Sequence, residues 1–205
     1  LCKISGDVIY YGKDGVQYEI SSEKYKTKYK VSPIQMIFQE PKTSLNMNMP
    51  LRRQLSEAIA LNNNLNDNEK DTILECLADE LYIRDILDKK PSQISGGQRR
   101  RFGIAKILSI QPEIILADEP VASLDVSIKH EILKVLFNLK NKGITIIMIS
   151  HDISLLESYA DQIFIMTDGK IVEIWEPHKQ KSPKSKEGLE LINDSKFVNR
   201  ILNKL

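Results

Sequence analysis

The sequence predicts an α/β protein with a parallel-sheet core, an antiparallel β edge and an inserted helical subdomain. Two observations support this fold class. Short apolar runs alternate with segments of helical periodicity between residues 114 and 175, which is the order of elements that builds a parallel sheet. A mostly helical pattern from about residue 47 to residue 110 separates these runs from a β-rich beginning. The helical part is therefore predicted to be an insertion into the α/β core.

The totals describe a soluble globular unit without a global electrostatic signal. The 205 residues are 41% hydrophobic and 28% charged, and the net charge is +1, so no nucleic-acid partner is expected. No apolar run reaches the roughly 18–20 residues that span a bilayer, and the start of the chain does not resemble a signal peptide. Cys2 and Cys76 form neither a disulfide framework nor a metal-binding spacing, which fits a reducing cytosol.

The first segments predict the antiparallel edge. Asp7–Tyr11 and Val16–Ile20 are β-rich runs on either side of the turn Gly12–Gly15, so they predict a hairpin or meander. The next stretch, from Ser21 to Lys30, carries four lysines and no clear apolar face. It predicts an exposed loop or a short, poorly packed helix.

Helical periodicity and turn signals place the remaining elements. Helices are predicted at Leu51–Ile59, from Asn66 or Asp67 to Leu81, from Ser95 to Leu108, at Val126–Lys140 and at Ile153–Tyr159. A second hairpin is predicted at Gln162–Met166 and Lys170–Ile174, around the turn pair Asp168-Gly169. Residues 1–176 are predicted to form one domain, and residues 177–205 a solvated linker followed by a short amphipathic helix.

Two carboxylates follow the apolar run Ile114–Ala117 directly, and Pro120 ends the run. A buried strand that delivers Asp118 and Glu119 at its carboxyl end is a usual way to place a metal ligand and a base in a crevice. Phosphoryl transfer to water needs Mg²⁺ to neutralise oxygens and a carboxylate to orient or deprotonate the attacking water. The alternative, a solvated acidic pair in a loop, does not account for the apolar run before it.

Residues Ser95, Gly96, Gly97 and Gln98 have the form of a phosphate-binding helix start. Ser95 is a good N-cap, and the two glycines allow a ligand to approach the free N–H groups of the first turn closely. The residues Arg99–Arg101 that follow suggest two interpretations. A nucleic-acid patch is less favoured than a solvated face that contacts acidic groups, because successive helical side chains diverge by about 100°.

Two further strand ends carry polar residues of the type that bind ligands. Gln39 follows the apolar strand Ile34–Phe38, and His151 follows the strand Ile144–Ile149. An imidazole at that position can hydrogen-bond a γ-phosphate or hold the attacking water. His130 and His178 lack such a setting and are predicted to be surface residues. Together with Asp118 and Glu119, these residues predict a nucleoside triphosphatase.

The motifs resemble those of the nucleotide-binding domain of ABC ATPases over about residues 4 to 175. The correspondences are Ile94–Gln98 with the signature sequence, Ile114–Glu119 with the Walker B strand, Ala122–Asp125 with the D-loop, His151 with the switch histidine and Gln39 with the Q-loop glutamine. The resemblance implies a P-loop NTPase-like fold with ATP and Mg²⁺ as cofactors. Glu119 and His151 would be catalytic, and Asp118 and Gln39 would bind the metal. Nucleotide would be bound by the signature residues Ser95, Gly96, Gly97 and Gln98, and also by Gln39 and Asp125.

Residues 36–46 and 120–127 are similar to the oligopeptide, dipeptide and nickel importer ATPases. This resemblance implies an ATP-hydrolysing subunit that energises uptake of peptides or nickel-type solutes from the cytoplasmic face of the membrane. The implied partners are a second ABC ATPase subunit, transmembrane permease subunits and, indirectly, an extracytoplasmic solute-binding protein. In the family two such domains enclose two ATP molecules head to tail, so Ser95 and Gly97 would act on the partner's nucleotide.

The phosphate loop G-x-x-x-x-G-K-[ST] appears nowhere in the 205 residues. In the family it would precede Ser5–Val8, so the sequence is expected to start just past it, and the chain alone is expected to show little or no ATP turnover. Two alternatives remain open. The first is an impaired partner subunit that supplies its signature motif to a paralogue. The second is a soluble non-transport ABC ATPase. The tail also lacks the Pro-Tyr-Thr stretch of the importer subfamily.

Overall fold

A computed structural model describes residues 6–38, 45–61, 65–122 and 126–202. The described elements are β1 (Ile9–Tyr11), β2 (Gln17–Glu19), α1 (Glu23–Lys28), β3 (Ile34–Ile37), α2 (Leu51–Ile59), α3 (Asp67–Glu80), α4 (Gly96–Leu108), β4 (Ile114–Asp118), α5 (Val126–Asn141), β5 (Thr145–Ile149), α6 (Ile153–Tyr159), β6 (Ile163–Thr167), β7 (Lys170–Trp175) and α7 (Lys186–Leu202). They divide into two compact units, Leu1–Ile147 and Met148–Leu205. The predicted division after residue 176 stays a prediction.

The first unit contains β3 and β4 of the predicted parallel sheet and the beginning of β5. β3 runs parallel to β4, from Ile34 opposite Ile114 to Ile37 opposite Ala117, and the strand order is β3-β4-β5. Ile37, Ile115 and Ala117 are buried on one face of the β3–β4 pair, with 0–4% of their surface exposed. The α/β class with a parallel core and antiparallel strands is therefore confirmed.

The antiparallel edge is the predicted hairpin, and it is packed more closely than the sequence indicated. β1 pairs with β2 and places Tyr10 opposite Tyr18. Tyr25 of α1 is only 5% exposed, and its ring lies edge-on to Tyr10 at 5.9 Å between centroids. The prediction of a loop or a poorly packed helix at Ser21–Lys30 is therefore wrong in its packing. The lysines face solvent, while Tyr25 and Tyr29, four residues apart, form one aromatic face.

The helical middle follows its periodicity. Leu51, Leu55 and Ile59 of α2 have no exposed surface, as the spacing predicts. α3 begins after Asn66, whose side chain accepts from the Glu69 amide while the Glu69 carboxylate accepts from the Asn66 amide. This capping box decides the choice between Asn66 and Asp67 as the start of the helix.

The second unit consists of α6, the hairpin β6–β7 and α7. The turn residues Asp168 and Gly169 have φ values of 48° and 74°, as expected for the tight hairpin turn that this pair favours. Trp175 is fully buried against Ile165 and Ile192. α7 thus covers the inner face of the hairpin.

Residues 177–185, within the predicted solvated linker, are bonded to β7. The Trp175 indole N–H donates to the Gln180 carbonyl at 2.9 Å. The two oxygens of Glu173 accept from the amides of Lys184 and Ser185 at 2.8 and 2.7 Å. These bonds hold the segment that leads into α7 to β7, while most of its residues remain exposed.

Candidate functional site

The start of α4 has the geometry of an anion-binding helix terminus. Ser95 is the N-cap, and its Oγ accepts from the Gln98 amide at 3.2 Å while Gln98 Oε1 accepts from the Ser95 amide at 3.0 Å. The amides of Gly96 and Gly97 occupy the first two helical positions, which have no intrahelical acceptor. Gly96 is exposed. The capping box therefore leaves two oriented N–H donors at the positive end of the helix.

Gly97 is also required by packing. A Cβ at this position would lie 2.9 Å from Cδ1 and 3.2 Å from Cγ2 of Ile128 on α5. The glycine thus lets the first turn of α4 lie directly against α5. The sequence motif indicated only the approach of a ligand and not this contact.

The acidic pair lies where the apolar run predicts it. β4 ends at Asp118, and the alternation of the strand places Asp118 on the face opposite to buried Ile115 and Ala117. On that face Met36 and Phe38 are 38% and 54% exposed. The carboxylate of Asp118 therefore stands at the carboxyl edge of the sheet, on its less covered face.

Glu119 has an unusual backbone conformation. Its φ is +45°, in the left-handed region that side chains other than glycine seldom occupy. The chain turns sharply there, and the Ala122 amide donates to the Glu119 carbonyl at 3.2 Å. Such outliers occur where surrounding contacts hold them in place, and they cluster at functional sites.

Arg100 supplies the contact that holds this turn, and the sequence reasoning missed it. The residue is 4% exposed. Its Nε donates to the Pro120 carbonyl at 2.8 Å, its Nη2 to the Glu119 carbonyl at 3.1 Å, and its Nη1 to the Phe38 carbonyl. The predicted solvated arginine face is therefore wrong for Arg100. Burial lowers the pKa of its guanidinium, because a low dielectric disfavours the charged form.

The neighbouring arginines differ from Arg100. Arg101 forms the expected contact with an acidic side chain, since its Nη1 lies 3.0 Å from Glu131 Oε2. Arg99 donates to the Ile94 carbonyl at 3.3 Å. Arg100 faces inward because α4 packs against β3 on that side of the helix. The inward direction could have been found by continuing the periodicity of buried Phe102, Ile104 and Ala105 back through α4.

The other predicted residues are placed only in part. His151 follows β5 in the second unit and is exposed, and His130 and His178 are also exposed. Gln39 and Asp125 lie outside the described residues. The two strand ends that the structure does bring together are those of β3 and β4, through the bonds of Arg100 to Phe38 and Glu119.

The donor set fits a magnesium ion that is held largely by other ligands. Within residues 6–38, 45–61, 65–122 and 126–202, no three His, Cys, Asp or Glu side chains converge. Mg²⁺ usually takes one or two carboxylates and completes its octahedron with water and substrate phosphates. Asp118 suits that role by position and chemistry.

Over the described residues no helix is long and apolar enough to cross a bilayer.

A family model for the ABC transporter matches residues 3–122, which include the start of α4 and the end of β4. The chain is 38% identical over 143 residues to a probable D,D-dipeptide transport ATP-binding protein of Escherichia coli, covering 69% of this chain and 46% of that protein. It is 36% identical over 178 residues to an oligopeptide transport ATP-binding protein of Streptococcus pyogenes, covering 84% and 56%. The chain thus spans about half the length of these curated relatives.

Solved structures agree with the fold. The structure of cbiO1 from Clostridium perfringens, part of the ABC transporter complex cbiONQ, superposes with a TM-score of 0.68 at 31% identity, over 77% of this chain and 62% of that one. A dimeric ATP-binding cassette in a post-hydrolysis state, bound to ADP and Pi, gives a TM-score of 0.66 at 23% identity, over 80% and 71%. The second likeness concerns the fold alone.

Proposed function

Because the chain belongs to the ABC transporter family, we propose that it is an ATP-binding and ATP-hydrolysing subunit of an importer for dipeptides or oligopeptides. The observation that carries the proposal is the joint geometry of α4 and β4. The capped helix start and the Asp118-Glu119 turn are held to each other by one buried side chain, Arg100. The peptide substrate follows from the relatives, whose names specify dipeptide and oligopeptide transport.

The residues at the carboxyl edge of β4 would act on the nucleotide of this chain. Bound Mg²⁺ would neutralise charge on the phosphate oxygens. Asp118 would hold that ion through its water shell, and Glu119 would orient or deprotonate the attacking water. Gln39 would add a metal contact, and His151 would hydrogen-bond the γ-phosphate. Each assignment rests on position and residue type together with the family resemblance.

The start of α4 would act on the nucleotide of a partner ATPase subunit. Ser95 and Gly96 are exposed at the positive end of the helix, whereas Gly97 is buried against Ile128. Ser95, Gly97 and Gln98 would then contact the partner's phosphates, with Asp125 at the same interface. Permease subunits would complete the importer, with the chain bound peripherally at the cytoplasmic face of the membrane.

A second candidate function rests on the exposed, capped start of α4. The chain would then serve as a signature donor that completes the ATP site of a paralogue without hydrolysing ATP itself. The capping box of Ser95 and Gln98 favours this candidate, because bonds within the chain itself orient the exposed start of α4.

ATP turnover and peptide uptake in the assembled importer test the proposal. We expect Glu119→Gln to reduce both to a small residual rate, because a neutral amide cannot deprotonate or strongly orient water. Glu190→Gln is the matched control, since its carboxylate is exposed on α7 and pairs only loosely with Lys186. Robust ATP turnover by the isolated 205 residues would contradict the expectation that these residues alone show little or no turnover.

The two candidates separate at Ser95. A hydrolysing subunit requires both Glu119 and Ser95, whereas a signature donor requires Ser95 and tolerates Glu119→Gln. Ser95→Ala also removes a helix cap worth about 1 kcal/mol, so its thermal unfolding is measured in parallel. Ser92→Ala, at an exposed serine just ahead of the motif, is the control. Uptake that survives both Ser95→Ala and Glu119→Gln would contradict both candidates.

A further inference from the structure

We propose that Arg100 is a positioning residue that sets the direction of the Glu119 carboxylate by holding the backbone of the turn after β4. The same side chain would couple that turn to α4, whose first residues face a partner's nucleotide. This inference rests on the proposed function, because it assigns Arg100 a task in the hydrolysis attributed to Glu119.

The first argument is the set of carbonyls that Arg100 binds. They belong to Phe38 at the end of β3, and to Glu119 and Pro120 just after β4. One planar guanidinium thus joins two strand ends to the helix that carries it. Five N–H donors in a rigid fork can serve three carbonyls at once, which no other side chain can do with the same geometry.

The second argument is the conformation at Glu119. A φ of +45° is unfavourable for a glutamate, so neighbouring contacts must maintain it. Two contacts converge on its carbonyl, the Nη2 group of Arg100 at 3.1 Å and the Ala122 amide at 3.2 Å. Loss of these two bonds would let the φ of Glu119 leave the left-handed region, which would change the direction in which its side chain leaves the backbone. Arg100 therefore fixes the side chain by fixing the carbonyl next to it.

The third argument is the place of Arg100 on α4. The residue lies one helical turn after Gly97, which packs directly on Ile128. A shift of the helix start caused by a partner's nucleotide moves the guanidinium, and the guanidinium is bonded to the turn that carries Glu119. Misplacement of a catalytic group by about 1 Å can cost a hundredfold in rate. The contact thus links nucleotide occupancy at the start of α4 to water activation by Glu119.

The test compares Arg100→Lys and Arg100→Gln with Arg101→Gln in the assembled importer. Arg101 is on the same helix, and its Nη1 pairs with Glu131 Oε2 at 3.0 Å. We expect both Arg100 variants to lower kcat for ATP about tenfold or more, with little change in KM, since positioning affects the reacting geometry more than binding. Arg101→Gln should leave kcat within about twofold. A rise in KM at unchanged kcat would overturn the proposal.

A double variant separates positioning from general damage to the fold. If Arg100 acts through Glu119, adding Arg100→Lys to Glu119→Gln should lower the residual rate no further. A further loss equal to that seen in the wild-type background would show that Arg100 acts independently of Glu119, and would overturn the proposal.

A backbone readout keeps the inference testable if the wild-type complex hydrolyses no ATP. Hydrogen exchange of the Ala122 amide reports the turn directly, because that amide bonds to the Glu119 carbonyl. We expect faster exchange at Ala122 in both Arg100 variants and unchanged exchange in Arg101→Gln. Unchanged exchange in the Arg100 variants would overturn the inference about Arg100. Absence of wild-type turnover with faster exchange would refute only the proposed hydrolysis.

Discussion

Gln54 allows the most direct test of how the helical insertion holds the segment that leads into it. The side chain is 4% exposed on α2. Its Oε1 accepts from the Asn46 amide at 3.0 Å, and its Nε2 donates to the carbonyls of Asn46 and Met49 at 2.9 Å each. One buried amide thus serves three backbone groups of residues 45–50, the first described residues after Phe38.

The expected cost of Gln54→Met follows from these three bonds. A hydrogen bond between neutral groups contributes about 1 kcal/mol net, so the three together contribute about 3 kcal/mol. Methionine has a similar volume, and its burial without a polar amide returns roughly 1 kcal/mol. We therefore expect the free energy of unfolding to fall by about 2 kcal/mol.

Urea unfolding followed by far-UV circular dichroism measures this change. Fluorescence is unsuitable, because the single tryptophan, Trp175, lies in the other unit. Arg53→Met is the matched control: Arg53 is exposed on the same helix, and its ion pair with Glu57 at 3.2 Å contributes only a few tenths of a kcal/mol. Hydrogen exchange of the Asn46 amide should accelerate in Gln54→Met alone. A loss below about 0.5 kcal/mol would refute the reasoning.

Three further outcomes are expected. The hydrogen bond to Asp14 raises the pKa of Tyr18 to about 12. The protonated Tyr18 therefore adds its full contribution to the free energy of unfolding below about pH 10, and this contribution is lost as the pH rises to about 12. Tyr18→Phe should reduce this alkaline loss of stability in unfolding titrations. Hydrogen bonds from the Ser185 hydroxyl and nearby amides lower the pKa of Glu173. In the wild type, the attachment of residues 177–185 to β7 should therefore weaken as the pH falls below about 4.3, and the segment should become more sensitive to proteolysis. In Glu173→Gln the attachment should be weaker at neutral pH, and proteolysis should depend little on pH. A Cβ on Gly188 would lie 2.6 Å from a methyl of β6, so Gly188→Ala should destabilise the second unit by about 1–3 kcal/mol in Trp fluorescence; unchanged melting would contradict this.

Local patterns in the sequence were sufficient where one element carries all the information. Ser95 and Gln98 are three residues apart and cap their own helix, as do Asn66 and Glu69. The hairpin turn at residues 168–169 likewise depends on two adjacent residues. These features were predictable because their physics is contained within one turn of chain.

Long-range contacts explain the failures. In the sequence, Arg100 is the middle residue of a basic run, which predicts a solvated side chain. It donates hydrogen bonds to three carbonyls only because α4 packs where the ends of β3 and β4 lie together. Tyr25 lies among lysines, and only the hairpin beside it provides the rings that bury it. The tail segment 177–185 has the composition of a linker, yet Trp175 and Glu173 hold it to β7.

The sequence by itself determined the fold class, the positions of the elements and the family, because periodicity, caps and spaced motifs are local properties. It also placed Asp118 and Glu119 at the end of a buried strand. Tertiary structure alone decided how Glu119 is held, since a left-handed turn at a glutamate depends on donors from a helix that starts over twenty residues earlier. A charged side chain in that position is stabilised by carbonyls that become neighbours only when two strands pair and a helix packs across their ends.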